Sequence, residues 1–420
     1  MKKVLAFLAK LLFSLIFSLV LIEVGLRLFP TLISLDFLIY FNEETRTAIA
    51  RSRDLPTRTW DTVLLERDDQ GPELHIYQPF TQLTWPNEDG GPEITAEMDE
   101  MGFCNPPYSY QPPVIDIITL GDSFTACHAI SPAQSWTRQL ASLSGKSTYN
   151  LGRIGTGLQE YLQILKQFGL QKSPHLVIMN VYQGNDFRDA AVYYQTRLAA
   201  SGGISSPAIP AAASPAGSWL TENFVGRHSY ALNLFAALAA YGRETYGLSP
   251  ETAKIPVNFR YELVFPDGVS IAFNPDNVDK DEVRTAKQLA GLALEPEVFQ
   301  AIDQALQTFV ALGQAHNFTP IVTYTPSVYT TYADYVVFED SDLQGLMPSF
   351  SYEQRQYLAA KGREFGYDFI DLTPGLQQAA QATGSQKLLY YRHDLHLTPL
   401  GHQALAEVLH QALLEQGMLK

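Results

Sequence analysis

Five short runs with almost unbroken apolar character punctuate the chain from Pro113 onward: "VIDIITL" (114–120), "STYNLG" (147–152), "HLVIMNVY" (175–182), "PIVTYT" (320–325) and "YDFIDL" (367–372). Strands that face solvent on one side alternate apolar and polar, so unbroken runs of this length predict strands buried on both faces, as in a parallel sheet. Between them the period changes. Val298, Ile302, Ala305, Phe309 and Leu312 recur at helical spacing before the fourth run, as do Leu405, Val408, Leu409, Ala412 and Leu413 near the C-terminus. Thr398 and Pro399 precede the last helix as N-cap and first-turn residues. Strands alternating with amphipathic helices predict an α/β fold, a flavodoxin-like doubly wound parallel sheet whose ligands bind at the carboxyl ends of its strands.

The pattern before residue 113 is different. From Val4 to Ile22 the one charge is Lys10, and nineteen such residues suffice for a helix to cross a bilayer. Lys2 and Lys3 precede the run, which places the N-terminus on the cytoplasmic side, and Glu23 and Arg27 stand at i,i+4 for a pair at the far end. No small-x-small cleavage site follows. Residues 1–30 are therefore expected to be a single-pass transmembrane signal anchor, with the rest extracytoplasmic, periplasmic or extracellular. Residues 31–112 form a lead-in in which "HIYQPFTQLTW" suggests short strands. Residues 113–420 form the main domain, interrupted at about 200–290 by an insertion. There "SGGISSPAIPAAASPAGS" (201–218) is small-residue low complexity, 223–247 reads as helical, and 257–273 reads as a hairpin turning at Pro266-Asp267-Gly268.

Charge narrows the function. Lys+Arg total 29 against Asp+Glu 44, a net charge of −15, which disfavours nucleic acid as a partner. Cys104 and Cys127 are the two cysteines. They are either one disulfide of an oxidising compartment or two buried thiols, and they do not form a zinc pattern.

Polar, glycine-bearing turns follow three of the apolar runs. Gly121-Asp122-Ser123 follows the first, "NLGRIGTG" (150–157) the second, and Gly184-Asn185-Asp186 the third, while "YYRHDLHLTPLGH" (390–402) precedes the last helix. Each has a plain structural reading, since glycine and aspartate make turns and serine caps helices. Together they also supply the parts of a hydrolytic site. Ser123 is a nucleophile once a base takes its proton, and His396 is the candidate base. A carboxylate must hold the imidazole in the right tautomer. The backbone N–H groups of Ser123 and Gly155 and the side-chain amide of Asn185 are candidate oxyanion donors.

In these four blocks the chain resembles the SGNH/GDSL hydrolases, over roughly 113–200 and 296–416. The strand followed by Gly121, Asp122 and Ser123 matches the first block. Asn150 with Gly155 five residues on matches the second, Gly184, Asn185 and Asp186 the third, and His396 the last. The resemblance implies a serine esterase that acts through an acyl-enzyme on Ser123, with no cofactor and no metal. One position departs from the pattern: many members carry the acid three residues before the histidine, where this chain has His393. Asp394, two residues before His396, is the candidate acid, and the alternatives are Asp371 or a dyad without a carboxylate. The Asp394-x-His396 pair is locally similar to alginate O-acetyltransferase-like members, which carry it before the serine.

The expected partners are an ester-bearing small molecule or carbohydrate and, through the N-terminal helix, a membrane. The rival expectations are an O-acyltransferase that uses the same acyl-enzyme and an inactive carbohydrate-binding protein. Asp122 and Asp186 are expected to stabilise turns, and His128 and Cys127 to line the site or simply pack. "GRIGTG" lacks the order of a nucleotide loop, and "HDLH" lacks further ligands for a metal. The sequence gives no indication of oligomeric state.

Overall fold

A computed structural model describes residues 2–33, 41, 45, 48–49, 62–64, 74–85, 87, 92–190, 193, 228–246, 261–273, 296–392 and 394–419. The low-complexity stretch 201–218 and His393 lie outside them. Two compact units result: Met1–Asp61 with Pro210–Pro256, and Thr62–Ile209 with Val257–Lys420.

In the first unit, helix α1 (Lys2–Leu28) is the N-terminal apolar segment. Its last turns are tied down by polar groups: Glu23 and Arg27 pair at 2.6 Å, and Arg27 also donates to the His228 carbonyl at 2.6 Å. Leu26 and Ile33 are buried with Phe41, Ile49, Tyr230, Ala231 and Ala237. The structure does not support the expected transmembrane anchor. Among the described residues no helix is long and apolar enough to cross a membrane, and this segment spends its C-terminal turns packing within its own unit.

The second unit is built on strands β1 (Thr62–Leu64), β2 (His75–Tyr77), β3 (Gln82–Trp85), β4 (Ile94–Glu97) and β5 (Ile117–Leu120), followed by α2 (Trp136–Ser144), β6 (Thr148–Asn150), α3 (Leu158–Ile164) and β7 (Leu176–Tyr182). Helix α4 (Tyr230–Tyr246), in the expected helical part of the insertion, belongs to the first unit. The second unit resumes with β8 (Tyr261–Val264), β9 (Ser270–Phe273), α5 (Pro296–His316), β10 (Thr319–Thr325), β11 (Val336–Phe338), α6 (Ser341–Phe365), β12 (Asp368–Asp371), α7 (Thr373–Thr383) and α8 (Pro399–Glu415).

Five of these strands form one parallel sheet in the order β12-β10-β7-β5-β6. Numbered along the chain, this is the 2-1-3-4-5 order of flavodoxin-like sheets, whose switch point lies between the first and third strands. All five runs read from the sequence are its strands. Every residue of β5 and β7 is buried, which is why their sequences are apolar without alternation. Helix α8 packs on α2 and α7, and α5 packs on α3 and α6. Thr398 caps α8, its hydroxyl accepting from Gly401 N–H at 3.1 Å, with Pro399 in the first turn. The hairpin β8–β9 turns where expected, with Gly268 at φ +83°. Its partner β11 and the long helix α6 carry no expectation from the sequence.

The described residues between 62 and 112 belong to the same compact unit as the sheet. Asp99 is fully buried and accepts from Met101 N–H (2.8 Å), Phe103 N–H (3.0 Å), Asn105 Nδ2 (3.0 Å) and Tyr149 OH (2.5 Å). Asn105 in turn holds both backbone groups of Asn150 at the end of edge strand β6, donating to its carbonyl at 3.0 Å and accepting from its N–H at 2.8 Å. Cys104 is disulfide-bonded to Cys127, with Cα atoms 5.8 Å apart. That bond ties this segment to the loop after Ser123. It closes a loop with a sequence separation of 23, for which chain entropy gives about 3 kcal/mol. The double variant Cys104→Ala/Cys127→Ala is expected to lose stability of that order in urea unfolding. An unchanged midpoint would show that the link constrains nothing.

Candidate active site

The turn after β5 has little freedom. A Cβ on Gly121 would lie 2.0 Å from Thr125 Oγ1 and 3.3 Å from the Asn180 carbonyl, so glycine is required for close approach. Asp122 then folds the chain back: its Oδ1 accepts from Phe124 N–H at 2.9 Å, and its carbonyl accepts from Thr125 and Ala126 N–H at 3.1 and 2.9 Å. Ser123 is left partly exposed at the tip.

The loop before α8 comes to meet it. Tyr391 N–H donates to the His396 carbonyl at 2.8 Å, and Leu395 N–H to the Tyr391 carbonyl at 3.2 Å. Leu395 has φ +64°, in the left-handed region that side-chain-bearing residues seldom adopt. This reversal between Asp394 and His396 turns both side chains to the same side, so that residues only two apart bond to each other. Asp394 Oδ1 lies 2.7 Å from His396 Nδ1, and His396 Nε2 lies 2.8 Å from Ser123 Oγ. Serine, imidazole and carboxylate thus form one continuous hydrogen-bonded chain. Asp371 is elsewhere occupied: it pairs with Arg355 at 3.1 Å and accepts from Thr373 N–H at the start of α7.

The candidate oxyanion donors sit at the ends of neighbouring strands. Gly155, after β6, has φ +74° and is exposed. Asn150 braces its loop, donating from Nδ2 to the Thr125 carbonyl at 2.8 Å and accepting from Gly152 N–H at 2.7 Å. Among the described residues neither Ser123 N–H nor Gly155 N–H donates to an acceptor. Asn185, after β7, donates from Nδ2 to Asp189 Oδ2 at 3.0 Å and also pulls the pKa of the neighbouring Asp122 down against its burial. Its amide is therefore already engaged by carboxylates, unlike the two backbone donors.

Electrostatics separate the ionisable groups. Burial would raise Asp394, but hydrogen bonds and charge from His128 and His396 outweigh it and hold the carboxyl well below the ordinary range. Burial would lower His396, yet Asp394 and Asp122 raise it above its ordinary value. His128 is lowered, by burial and then by the charge of His396, against the pull of Asp394. Beneath the turn, burial pushes Asp122 up to about 6 and Asp186 well above its ordinary value. Asp186 accepts from Tyr161 OH and Tyr182 N–H, both at 2.6 Å, which fits the turn-stabilising role expected of it.

The sequence did not indicate what His128 and Trp85 do. His128 Nε2 lies 2.9 Å from Asp394 Oδ2, and its ring stacks on His396 with centroids 3.8 Å apart. Trp85, from β3, lies 5.3 Å beyond it. No spacing in the sequence connects 85, 128 and 394. Each lies in a separate loop or strand, and the fold alone brings them together. His128, Asp394 and His396 are also the one group among the described residues whose geometry could hold a metal ion, but His128 Nε2, His396 Nδ1 and both Asp394 oxygens already bond to one another.

No family model matches the chain, and no curated protein matches it. Solved structures do. A protein from Desulfitobacterium hafniense DCB-2 assigned to the lipolytic G-D-S-L family is 13% identical at a TM-score of 0.34, over 71% of this chain and 99% of that one. An acetylxylan esterase from Geobacillus stearothermophilus is 10% identical at 0.35, over 72% and 94%. The acetyl xylan esterase AlAXEase is 12% identical at 0.34, over 71% and 100%. Likenesses this slight bear no weight on what the chain does.

His402, behind the site on α8, gives a test of this electrostatic picture. Burial, then the nearby His396 and His128, lower it to about 3, and its Nδ1 accepts from Trp136 N–H at 3.2 Å. The unfolded chain protonates this group near pH 6.5. Below that pH the unfolded state binds the extra proton, so this contribution to stability is full above 6.5 and is lost as the pH falls toward 3. His402→Asn keeps an acceptor for Trp136 and removes the titration, so it is expected to flatten stability against pH in that window. An unchanged slope in urea unfolding would contradict the assignment. The four blocks that carry the resemblance in this sequence stand at the ends of β5, β6 and β7 and before α8.

Proposed function

We propose that this chain is an SGNH-type serine esterase. The observation that carries the reading is the unbroken chain Ser123 Oγ–His396 Nε2 (2.8 Å) and His396 Nδ1–Asp394 Oδ1 (2.7 Å). The carboxylate fixes the proton on Nδ1, which leaves Nε2 free to accept the serine proton. Ser123 attacks the ester carbonyl as His396 takes that proton. The oxyanion is met by the Ser123 and Gly155 N–H groups, which have no other acceptor, and by the Asn185 amide once it turns from its carboxylate partners. Each such donor is worth roughly 10²–10³ in rate. The imidazolium returns the proton to the departing alcohol, and water, activated by the same nitrogen, releases the acyl group. We also propose that the site works outside the cytoplasm, held near a membrane by the N-terminal segment. The disulfide supports this, as do the exposed side chains of Phe17, Val20, Leu21, Val24 and Leu28 on α1.

With p-nitrophenyl acetate, Ser123→Ala and His396→Ala are expected to lose on the order of 10⁴-fold or more in kcat, and Asp394→Asn roughly 10³–10⁴-fold. Only chains that retain Ser123 should label with a fluorophosphonate. Turnover that survives Ser123→Ala would sink the reading. Because the base acts unprotonated and His396 is raised, kcat/KM should fall on the acid side with a midpoint above about 6.5. A midpoint well below that value would contradict the geometry.

A further inference from the structure

His128 has more to do than fill space. It lies five positions after Ser123, on the loop that the Cys104–Cys127 disulfide fastens. The next residue, Ala129, is in the left-handed region at φ +55°, and its carbonyl accepts from Tyr391 OH at 3.0 Å. The loop bearing His128 is thus pinned to the loop bearing Asp394 and His396. From there His128 reaches the oxygen of Asp394 that His396 does not use, Oδ2 at 2.9 Å. A carboxylate is an acceptor, so His128 presents Nε2–H. Among the described residues its buried Nδ1 has no hydrogen-bond partner, so the one hydrogen bond this ring makes with them is to the acid.

The ring also closes one face of His396. The His128 centroid is 3.8 Å away at 22°, and Phe124 closes the other face at 4.7 Å and 26°. The run continues on both sides, to Trp85 beyond His128 and to Tyr182 at 3.6 Å beyond Phe124. His396 can therefore neither tilt nor flip without displacing a neighbour.

We propose that His128 is a positioning residue for the proposed ester hydrolysis: as a neutral imidazole it fixes the plane of Asp394 from the far oxygen, holds His396 face-on, and tempers the basicity of His396 by sharing the carboxylate's charge. This inference rests on the esterase reading of the site. The groups that face His396 are Asp394 on its own loop, Asp122 on the serine turn, His128 on the loop after it, and His402 on α8. Of these, His128 and His402 are both lowered, mainly by burial, so neither supplies a competing positive charge while His396 titrates. Without the Nε2–H donor, the full charge of Asp394 acts on His396 alone, and the His396 pKa rises.

The test uses His128→Phe, which keeps a ring and removes the donor, and His128→Gln, which restores a donor. His128→Phe is expected to lower kcat/KM about 10–100-fold, the scale seen when the outer partner of a metal-bound imidazole is removed. It is also expected to move the acid limb upward by roughly half a pH unit or more. His128→Gln should recover most of the rate and return the limb toward the parent's. Imidazole titration by ¹⁵N NMR in the Ser123→Ala background reads the His396 shift without any turnover, so it separates failure of this proposal from failure of the esterase reading. A parent that turns over no ester but shows the His396 shift overturns the esterase reading only. A limb and a titration that stay put in His128→Phe, or a His128→Gln that behaves as His128→Phe does, overturn the role of His128. Should His128→Phe not fold, the tautomer decides in the parent: Nε2–H on a neutral His128 supports the proposal, and Nδ1–H overturns it.

Discussion

The structure depends on one constraint: Ser123 Oγ and His396 Nε2, 273 residues apart in the chain, must meet at 2.8 Å. A hydrogen bond of that length tolerates a few tenths of an ångström, so both loops must be fixed from below. β5, a fully buried strand inside the sheet, delivers the serine through a glycine that has no room for a Cβ. The histidine arrives on a loop that a left-handed Leu395 reverses and that Tyr391 ties both to itself and to Ala129. The strain of holding a leucine at positive φ is of the kind found where a fold over-determines a working geometry.

The same constraint explains the segment before β5. Asp99 and Asn105 anchor it to the edge strand β6, and Cys104 joins it covalently to the loop after the serine. Trp85 sets the outer end of the row of rings that encloses His396. Residues that carry no chemistry of their own thus set how rigidly the chemistry is held.

Much of this was legible in the sequence because local physics writes it there. Strands buried on both faces must be apolar throughout, so "HLVIMNVY" could be read directly, and Thr398-Pro399 marks a helix start in any context. The turns at Ser123, Gly155 and Asn185 could be read from glycine and from their positions after strands. What was hidden is what tertiary packing decides. Val336–Phe338 is too short to signal a strand until β8 offers it a partner. α6 carries Pro348 within it, which reads as a break but is accommodated in the helix. The second hydrogen bond to Asp394 joins residues 266 positions apart, a pairing that no periodicity encodes. The N-terminal run differs: its composition suggested a membrane span, but among the described residues no helix is long and apolar enough to cross one, and its last turns pack within its own unit.

The central claim is that Ser123 carries the acyl group during turnover. The most direct measurement is to mix the protein with p-nitrophenyl acetate, quench it in acid within the first turnover, and map the peptides by mass spectrometry. The account predicts an acetyl group on the peptide containing Ser123, at that hydroxyl, and a longer-lived one in Asp394→Asn, where release is slowed. Product formed with no acetyl on Ser123 at any quench time, or an acetyl found on another residue, would contradict it.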